Sequence, residues 1–183
     1  MTRTSSPRAF MTSVASSIRI VALDAIELRW QVRPGDVQSV REIAQSTEFF
    51  APAEVDIAVE LIEDRLVRGQ SSEYHFLFAD RAGRPIGFAS FGEIAGTESS
   101  YDLYWVAVHG DEQRGGIGRR LLNEIESRIA QRGGRRIYVE TSSRPLYEPT
   151  RQFYLRCDYR VEAVLEDFYA PGDGKIILVK SLG

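Results

Sequence analysis

The chain has 183 residues, 27% of them charged, and a formal net charge of −3. That length makes one domain with a sizeable core the default, and the acidic balance excludes the basic surface that nucleic-acid binding requires. A lone cysteine, Cys157, excludes an internal disulfide, and no apolar run approaches the ~20 residues of a membrane span.

Residues 1–17, MTRTSSPRAFMTSVASS, are rich in Ser, Thr and Arg and lack acids. Their apolar stretch is too short and interrupted for a secretory signal, so they read as a disordered leader or a start extended upstream of Met11. A single folded domain is expected over 18–183, with Ile18 to Leu23 a candidate first strand. Ile26, Leu28, Trp30 and Val32 then alternate with polar residues, as in a half-buried strand. Pro34-Gly35-Asp36 breaks it, and Asp36 opens a helix carrying Val37, Val40, Ile43 and Ala44. A second helix starts near Pro52, repeats apolar residues at Val55, Val59, Ile62 and Leu66, and ends at Gly69. Tyr74 to Asp80 and Pro85 to Ile94 read as strands around the turn Arg81-Ala82-Gly83-Arg84.

The next segment, YDLYWVAVHGDEQRGGIGRRLL from Tyr101, is the most informative. Tyr101 to Val108 is β-branched and aromatic, as a strand should be. Gly115, Gly116 and Gly118 follow, and Ile117, Leu121, Leu122, Ile125 and Ile129 then share one helical face up to Gly133-Gly134. A helix that starts on glycines leaves backbone N–H groups unpaired at the positive end of its dipole, a seat for a pyrophosphate. No Gly-Lys-Ser/Thr follows, so this is not a Walker loop, and the spacing is not G-x-G-x-x-G. Beyond it come a strand over 135–141, a helix from about 148 to 157, and strands Tyr159–Ala170 and Lys175–Leu182 around the turn signal Pro171-Gly172-Asp173-Gly174.

The spacing Gln113-x-x-Gly116-x-Gly118 resembles the acyl-CoA loop of the GNAT acetyltransferase superfamily, Gln/Arg-x-x-Gly-x-Gly/Ala. The strand ending Val106-Ala107-Val108 matches the family's hydrophobic-x-Val ending. Thr150-Arg151-Gln152-Phe153-Tyr154, followed by Asp158-Tyr159, matches the Ala-x-x-Phe-Tyr…Gly-Phe signature. The similarity spans about residues 26–182. Thr150 replaces the usual alanine, Asp158 replaces a glycine, and Tyr147 stands where many members carry a cofactor-contacting asparagine.

The resemblance implies an α/β chain of α+β type with the GNAT fold: a mixed, mostly antiparallel sheet of about seven strands flanked by about four helices. In that fold the central strand and the strand after the phosphate helix splay apart, and the pantetheine arm enters the gap. Acetyl-CoA is then the expected co-substrate. Its expected contacts are Val106, Ala107, Val108, Gln113, Arg114, Gly115, Gly116, Ile117, Gly118, Arg119, Tyr147 and Tyr154. The arm is expected on the backbone of Val106 and Val108, with a Val108 N–H polarising the thioester carbonyl.

Acetyl transfer to an amine needs a neutral nitrogen, because a free amine with pKa near ~10 is mostly protonated at neutral pH. Two carboxylates are candidate bases. Counted back from the loop, Asp102 takes the position of the base glutamate in the histone-acetyltransferase branch, and simple alternation gives it the parity of Tyr104, Val106 and Val108. Glu140 ends the next strand, where it could instead cap Thr141–Ser143 or pair with Arg144. A third reading dispenses with a base and relies on proximity alone. Tyr154 matches the family tyrosine that protonates the departing thiolate. Arg114 and Arg119 flank the loop as candidate phosphate partners. His75 and His109 read as a strand histidine and a loop histidine. With one cysteine besides and no ligand spacing, no metal is expected. Cys157 reads as a small buried hydrophobe.

These features imply an acetyl-CoA-dependent N-acetyltransferase working by direct attack in a ternary complex. The acceptor is a small-molecule or peptide amine, framed by an aromatic rim of Phe49, Phe50, Phe168 and Tyr169 beside Tyr147. The expected location is the cytoplasm, without nucleic-acid or membrane partners, and a homodimer is left open. The rival from another class is a non-catalytic acyl-CoA-binding sensor or interaction module on the same fold.

Overall fold

A computed structural model describes residues 25–183; the leader and the candidate strand Ile18–Leu23 lie outside the described residues. Chain order is β1 (Ile26–Arg29), α1 (Asp36–Ser46), α2 (Pro52–Arg68), β2 (His75–Arg81), β3 (Arg84–Glu93), β4 (Ser100–Val108), α3 (Ile117–Gln131), β5 (Arg136–Ser142), α4 (Glu148–Leu155), β6 (Arg160–Ala170) and β7 (Asp173–Ser181). The strands form one sheet of seven in the order β1-β2-β3-β4-β5-β7-β6, antiparallel except for β4 beside β5.

The sequence periods account for the elements, with differences at their ends. β1 stops at Arg29 rather than Val32, and there the Arg29 guanidinium turns inward to Asp36 at 2.8 Å and Asp80 at 2.7 Å. This near-buried cluster ties β1, the start of α1 and β2 together. Breaking such a buried pair costs about 3–5 kcal/mol, because it strands an uncompensated charge. The last hairpin turns on Pro171-Gly172 alone, since Ala170 already pairs with Asp173. Pro171 presets the turn and Gly172 supplies its positive φ of 79°.

Each face of the sheet carries its own core. On one face the stripe of α3, Ile117, Leu121, Leu122, Ile125 and Ile129, packs on Leu77, Phe91, Leu103, Ile137 and Leu178, with Tyr154 and Cys157 alongside. On the other, Val40 and Ile43 of α1 and Val59 and Ile62 of α2 cover Phe76, Phe78, Phe88 and Ala107. Each of these large side chains contributes about 1.5–3 kcal/mol on burial, so the two layers hold the sheet from both sides.

Two irregularities in β4 make room for a site. Its pairing with β3 skips Tyr104, since Ser90 faces Trp105 while Phe91 faces Leu103. Its pairing with β5 ends after Ser100–Arg136, Tyr101–Ile137 and Asp102–Tyr138. From there β5 stays with β7 as far as Ser142–Lys175, so the two central strands diverge toward their C-terminal ends. A bulge bends its strand and raises the local twist, which is what such a divergence needs.

Candidate active site

The divergence opens a cleft of about 850 Å³, lined by Val106, Ala107 and Val108 on β4, the loop into α3, and Leu146, Thr150, Phe153, Tyr154 and Cys157 from the α4 side. His109 donates to the Ile86 carbonyl of β3 at 2.9 Å, so by antiparallel alternation the N–H and C=O of Val108 and Val106 point away from β3, into the gap. β5 has left that edge, which therefore offers the Val108 N–H and the backbone groups of Val106 to an extended ligand.

The loop is built to present more of them. A short helical turn at Gly110–Glu112 follows β4, and Gln113 reaches back through Nε2 to the Val108 carbonyl at 3.2 Å. Arg81 on β2 pairs with Glu112 and anchors the turn. Gly116 caps α3 at φ 78°, with no side chain bonding the first-turn N–H groups. The first free donors of α3 thus face the cleft beside Gly116, Ile117, Gly118 and Arg119. Uncapped donors, an open strand edge and a cleft of this volume fit the elongated anionic acyl-CoA expected from the loop. Gln113 and Arg114 line the cleft too, whereas Gly115 is not among its lining residues.

Tyr154 lies on the wall of the cleft, 5% exposed, with its ring against Phe153 at 5.1 Å and Tyr159 at 5.4 Å. Burial, reinforced by neighbouring Cys157, holds its phenol well above the usual tyrosine range. It therefore keeps its proton until a stronger base arises next to it. The turn after α4 is secured by Tyr159 N–H donating to the Tyr154 carbonyl at 3.1 Å and by Asp158 at φ 67°, the left-handed conformation that aspartate tolerates.

The bulge corrects one expectation. Simple alternation put Asp102 in phase with Val106 and Val108, but skipping Tyr104 reverses the phase. Val106 and Val108 pack with the α3 core, whereas Trp105 and Ala107 belong to the α1–α2 core. Asp102, below the bulge, faces the α1–α2 side of the sheet together with Tyr138 and Glu140. Its carboxyl is held above the ordinary range, first by burial and then by the charge of Glu140, with Lys175 acting against both. Glu140 pairs with Lys175; Arg144 pairs instead with Asp173 at 3.1 Å.

The aromatic rim divides between two places. Phe49 and Phe50 line the cleft, stacked edge-on at 5.4 Å, and Phe50 rests on Trp105 at 4.5 Å. Phe168 and Tyr169 are half-exposed on β6 next to Lys175. Tyr147 is not on the cofactor wall: its ring meets Phe49 at 4.5 Å and its hydroxyl donates to Glu54 at 3.3 Å, with Arg144 stacked over the ring. It belongs to the outer rim. His75 is partly buried against Phe91 on β2, and His109 accepts from the Asp111 N–H. Thr47, Leu146, Pro149, Thr150 and Arg156 complete the cleft. No short motif marks those residues, although Thr150 lies inside the Phe-Tyr signature. Among the described residues no group of acidic, His or Cys side chains could hold a metal ion.

A family model described as Acetyltransferase (GNAT) family matches residues 37–159. Among solved structures, the chain is similar to a Desulfovibrio desulfuricans protein assigned to the GNAT family of acetyltransferases, with 43% identity and a TM-score of 0.85. That match covers 87% of this chain and 100% of the other. An aminoglycoside 6'-N-acetyltransferase complexed with coenzyme A shares 20% identity over 87% of this chain and 97% of its own, with a TM-score of 0.68. The ribosomal-protein-S18-alanine N-acetyltransferase from Escherichia coli shares 17% identity, covering 87% of this chain and 95% of its own, with a TM-score of 0.68. No curated protein matches the chain.

Proposed function

The chain belongs to the GNAT family of acetyltransferases, and from that premise we propose that it moves an acetyl group from acetyl-CoA to a primary amine by direct attack in a ternary complex. The observation that carries this reading is the buried phenol of Tyr154 on the wall of a cleft whose opposite side is the unpaired edge of β4.

Acetyl-CoA supplies a thioester carbonyl and a thiol leaving group. The N–H groups at the start of α3, beside Gly116 and Gly118, take its pyrophosphate, and Arg119 adds a cation. Val106 and Val108 bond the extended arm, and the Val108 N–H polarises the carbonyl where negative charge develops. Asp102 accepts the proton of the acceptor ammonium, directly or through water. The nitrogen lone pair then forms the new C–N bond as the C–S bond breaks, Tyr154 gives its proton to the thiolate, and the second proton leaving the nitrogen returns through water to the Tyr154 oxygen.

The acceptor approaches from the α1–α2 side, between Phe49 and Tyr147 on one hand and Phe168 and Tyr169 on the other. Glu54, Asp102, Glu140 and Asp173 on that side outnumber Lys175 and Arg144. An acceptor that arrives as a cation, with an apolar or aromatic body, suits that rim. One neighbour acts on an aminoglycoside and another on a protein amine, so both acceptor types are within reach of this fold. Two copies are further supported by β6, an exposed edge strand carrying Val161, Val164 and Leu165. The cytoplasm suits a co-substrate of this kind.

The test is a free-thiol assay with acetyl-CoA and a panel of primary amines: a monoamine, a diamine, an aminoglycoside and a peptide with a free N-terminus. Acceptor-dependent thiol release supports the reading. Binding of acetyl-CoA with no release for any acceptor would favour the non-catalytic acyl-CoA-binding module.

A further inference from the structure

The chain uses arginine at nearly every basic position; of its 23 basic residues only Lys175 and Lys180 are lysines. Lys180 is built into the core edge, bonded to Glu126 at 2.7 Å and to the Cys157 carbonyl at 3.0 Å. Lys175 stands on the acceptor side. Its ammonium pairs with Glu140 and lies 3.9 Å above the centre of the Phe168 ring and 5.7 Å from that of Tyr169. The one ammonium thus faces a carboxylate and an aromatic ring at once. The pair is asymmetric: the lysine side chain is 12% exposed and the glutamate 49%.

The strand register puts this pair beside Asp102. Asp102 faces Tyr138 across β4–β5, Glu140 follows Tyr138 on the same face, and Ser142 faces Lys175 across β5–β7. Asp102, Glu140 and Lys175 thus share one face along the mouth of the opening between β4 and β5. Two carboxylates meet one ammonium there, and the ammonium is committed to Glu140. The other groups around Asp102 bring no cation. Tyr104, on its own strand, is pushed up to about 12 by burial and by the Asp102 charge, so it stays neutral, and Tyr74 and Glu73 crowd Tyr104 from the start of β2.

We propose that Lys175 is a positioning residue for the acceptor: by neutralising Glu140 against the Phe168 ring, it leaves Asp102, of the two carboxylates at this mouth, as the one that an incoming ammonium can occupy. The proposal rests on the reading of Asp102 as the base. Without Lys175, Glu140 would compete for the acceptor and hold it one strand away from the β4 edge. Its bare charge would also oppose ionisation of Asp102. A misplaced acceptor binds and does not react, so loss of Lys175 separates binding from turnover.

The experiment follows the Asp102 carboxyl by carbon-13 NMR titration, together with steady-state kinetics, in wild type, Lys175→Met, Glu140→Gln and the double variant. Lys175→Met should raise the Asp102 midpoint by about 0.5–1 pH unit, and Glu140→Gln should lower it. The double variant, which exchanges a neutral ion pair for a neutral polar–apolar pair, should return to within a few tenths of wild type. In parallel, Lys175→Met should lose about tenfold in kcat while KM for the acceptor stays level or falls, and the double variant should recover most of the rate. A midpoint that stays put in Lys175→Met, or a double variant no better than the single one, would overturn the role of Lys175. If the midpoints move as expected while the acid limb of kcat/KM does not follow them, the charge balance stands and the assignment of Asp102 as base falls.

Discussion

At the scale of single residues, the division of labour proposed for Tyr154 and Asp102 rests on their surroundings. A phenol held above its usual range by burial cannot serve as a base near neutrality, but it can donate to a thiolate as that charge develops. Tyr154→Phe keeps the ring among Phe153 and Tyr159, so acetyl-CoA affinity should persist. Turnover should fall by roughly ten- to a thousandfold if the phenol is the only acid; an unchanged kcat would assign the proton to water. Asp102 is raised rather than depressed, so its basic form is lost at a higher pH than for an ordinary carboxylate. Activity should therefore fall on the acid side as Asp102 takes up its proton. Asp102→Asn should lose kcat/KM most at neutral pH and recover in part at high pH, where more of the acceptor is already neutral. A pH-independent loss in that variant would mean that the enzyme only positions a neutral amine. Both candidates came from the sequence, Tyr154 from the Phe-Tyr signature and Asp102 from its distance to the loop. The face on which Asp102 lies did not. Nothing in YDLYWVAV announces that Tyr104 will be skipped, because the bulge arises from pairing with β3, and one extra residue reverses every later side chain.

At the scale of elements, the join between β4 and α3 is where local sequence dictates most. Three closely spaced glycines predict a helix start without a side-chain cap, and Gly116 at φ 78° is that start. A Cβ at Gly116 would meet open space, so the cost of a side chain there lies in the backbone. A β-branched residue at such a φ is an outlier that would re-aim the first N–H groups of α3. A ligand that binds only the folded state adds about 2.7 kcal/mol at a hundredfold excess over Kd, so acetyl-CoA should raise the Tm of the wild type. Gly116→Val should abolish most of that rise; an undiminished shift would put the pyrophosphate elsewhere. Element order was readable from periodicity because each helix and strand buries one face. The ends were less so: β1 ends at Arg29, whose pairing with Asp80 joins residues 51 apart in sequence, a contact no local pattern encodes.

At the scale of the whole molecule, the sheet has unequal edges. β1 is four residues long, whereas β6 runs for eleven and is exposed along most of its length. Val161, Val164 and Leu165 face solvent there together with Phe168 and Tyr169 of the proposed acceptor rim. An apolar edge of that length is a template for pairing. Sedimentation should therefore find two copies associated, and Val164→Lys should shift the protein toward the monomer while leaving acetyl-CoA binding intact. A wild type that sediments as a monomer at every concentration would exclude this edge as a contact. Among the described residues no helix is long and apolar enough to cross a membrane.

The proposed reaction passes an acetyl group from a cofactor groove on the unpaired edge of β4 to an acceptor side around Asp102. The most direct measurement incubates the protein with acetyl-CoA and a reactive acceptor from the panel, then quantifies released thiol and, by mass spectrometry, acceptor carrying one added acetyl group. Equal amounts of the two are expected, both requiring the protein and the acceptor, and both sharply reduced in Tyr154→Phe. Thiol released without acetylated acceptor, or tight binding of acetyl-CoA with neither product for any amine, would contradict the proposed reaction.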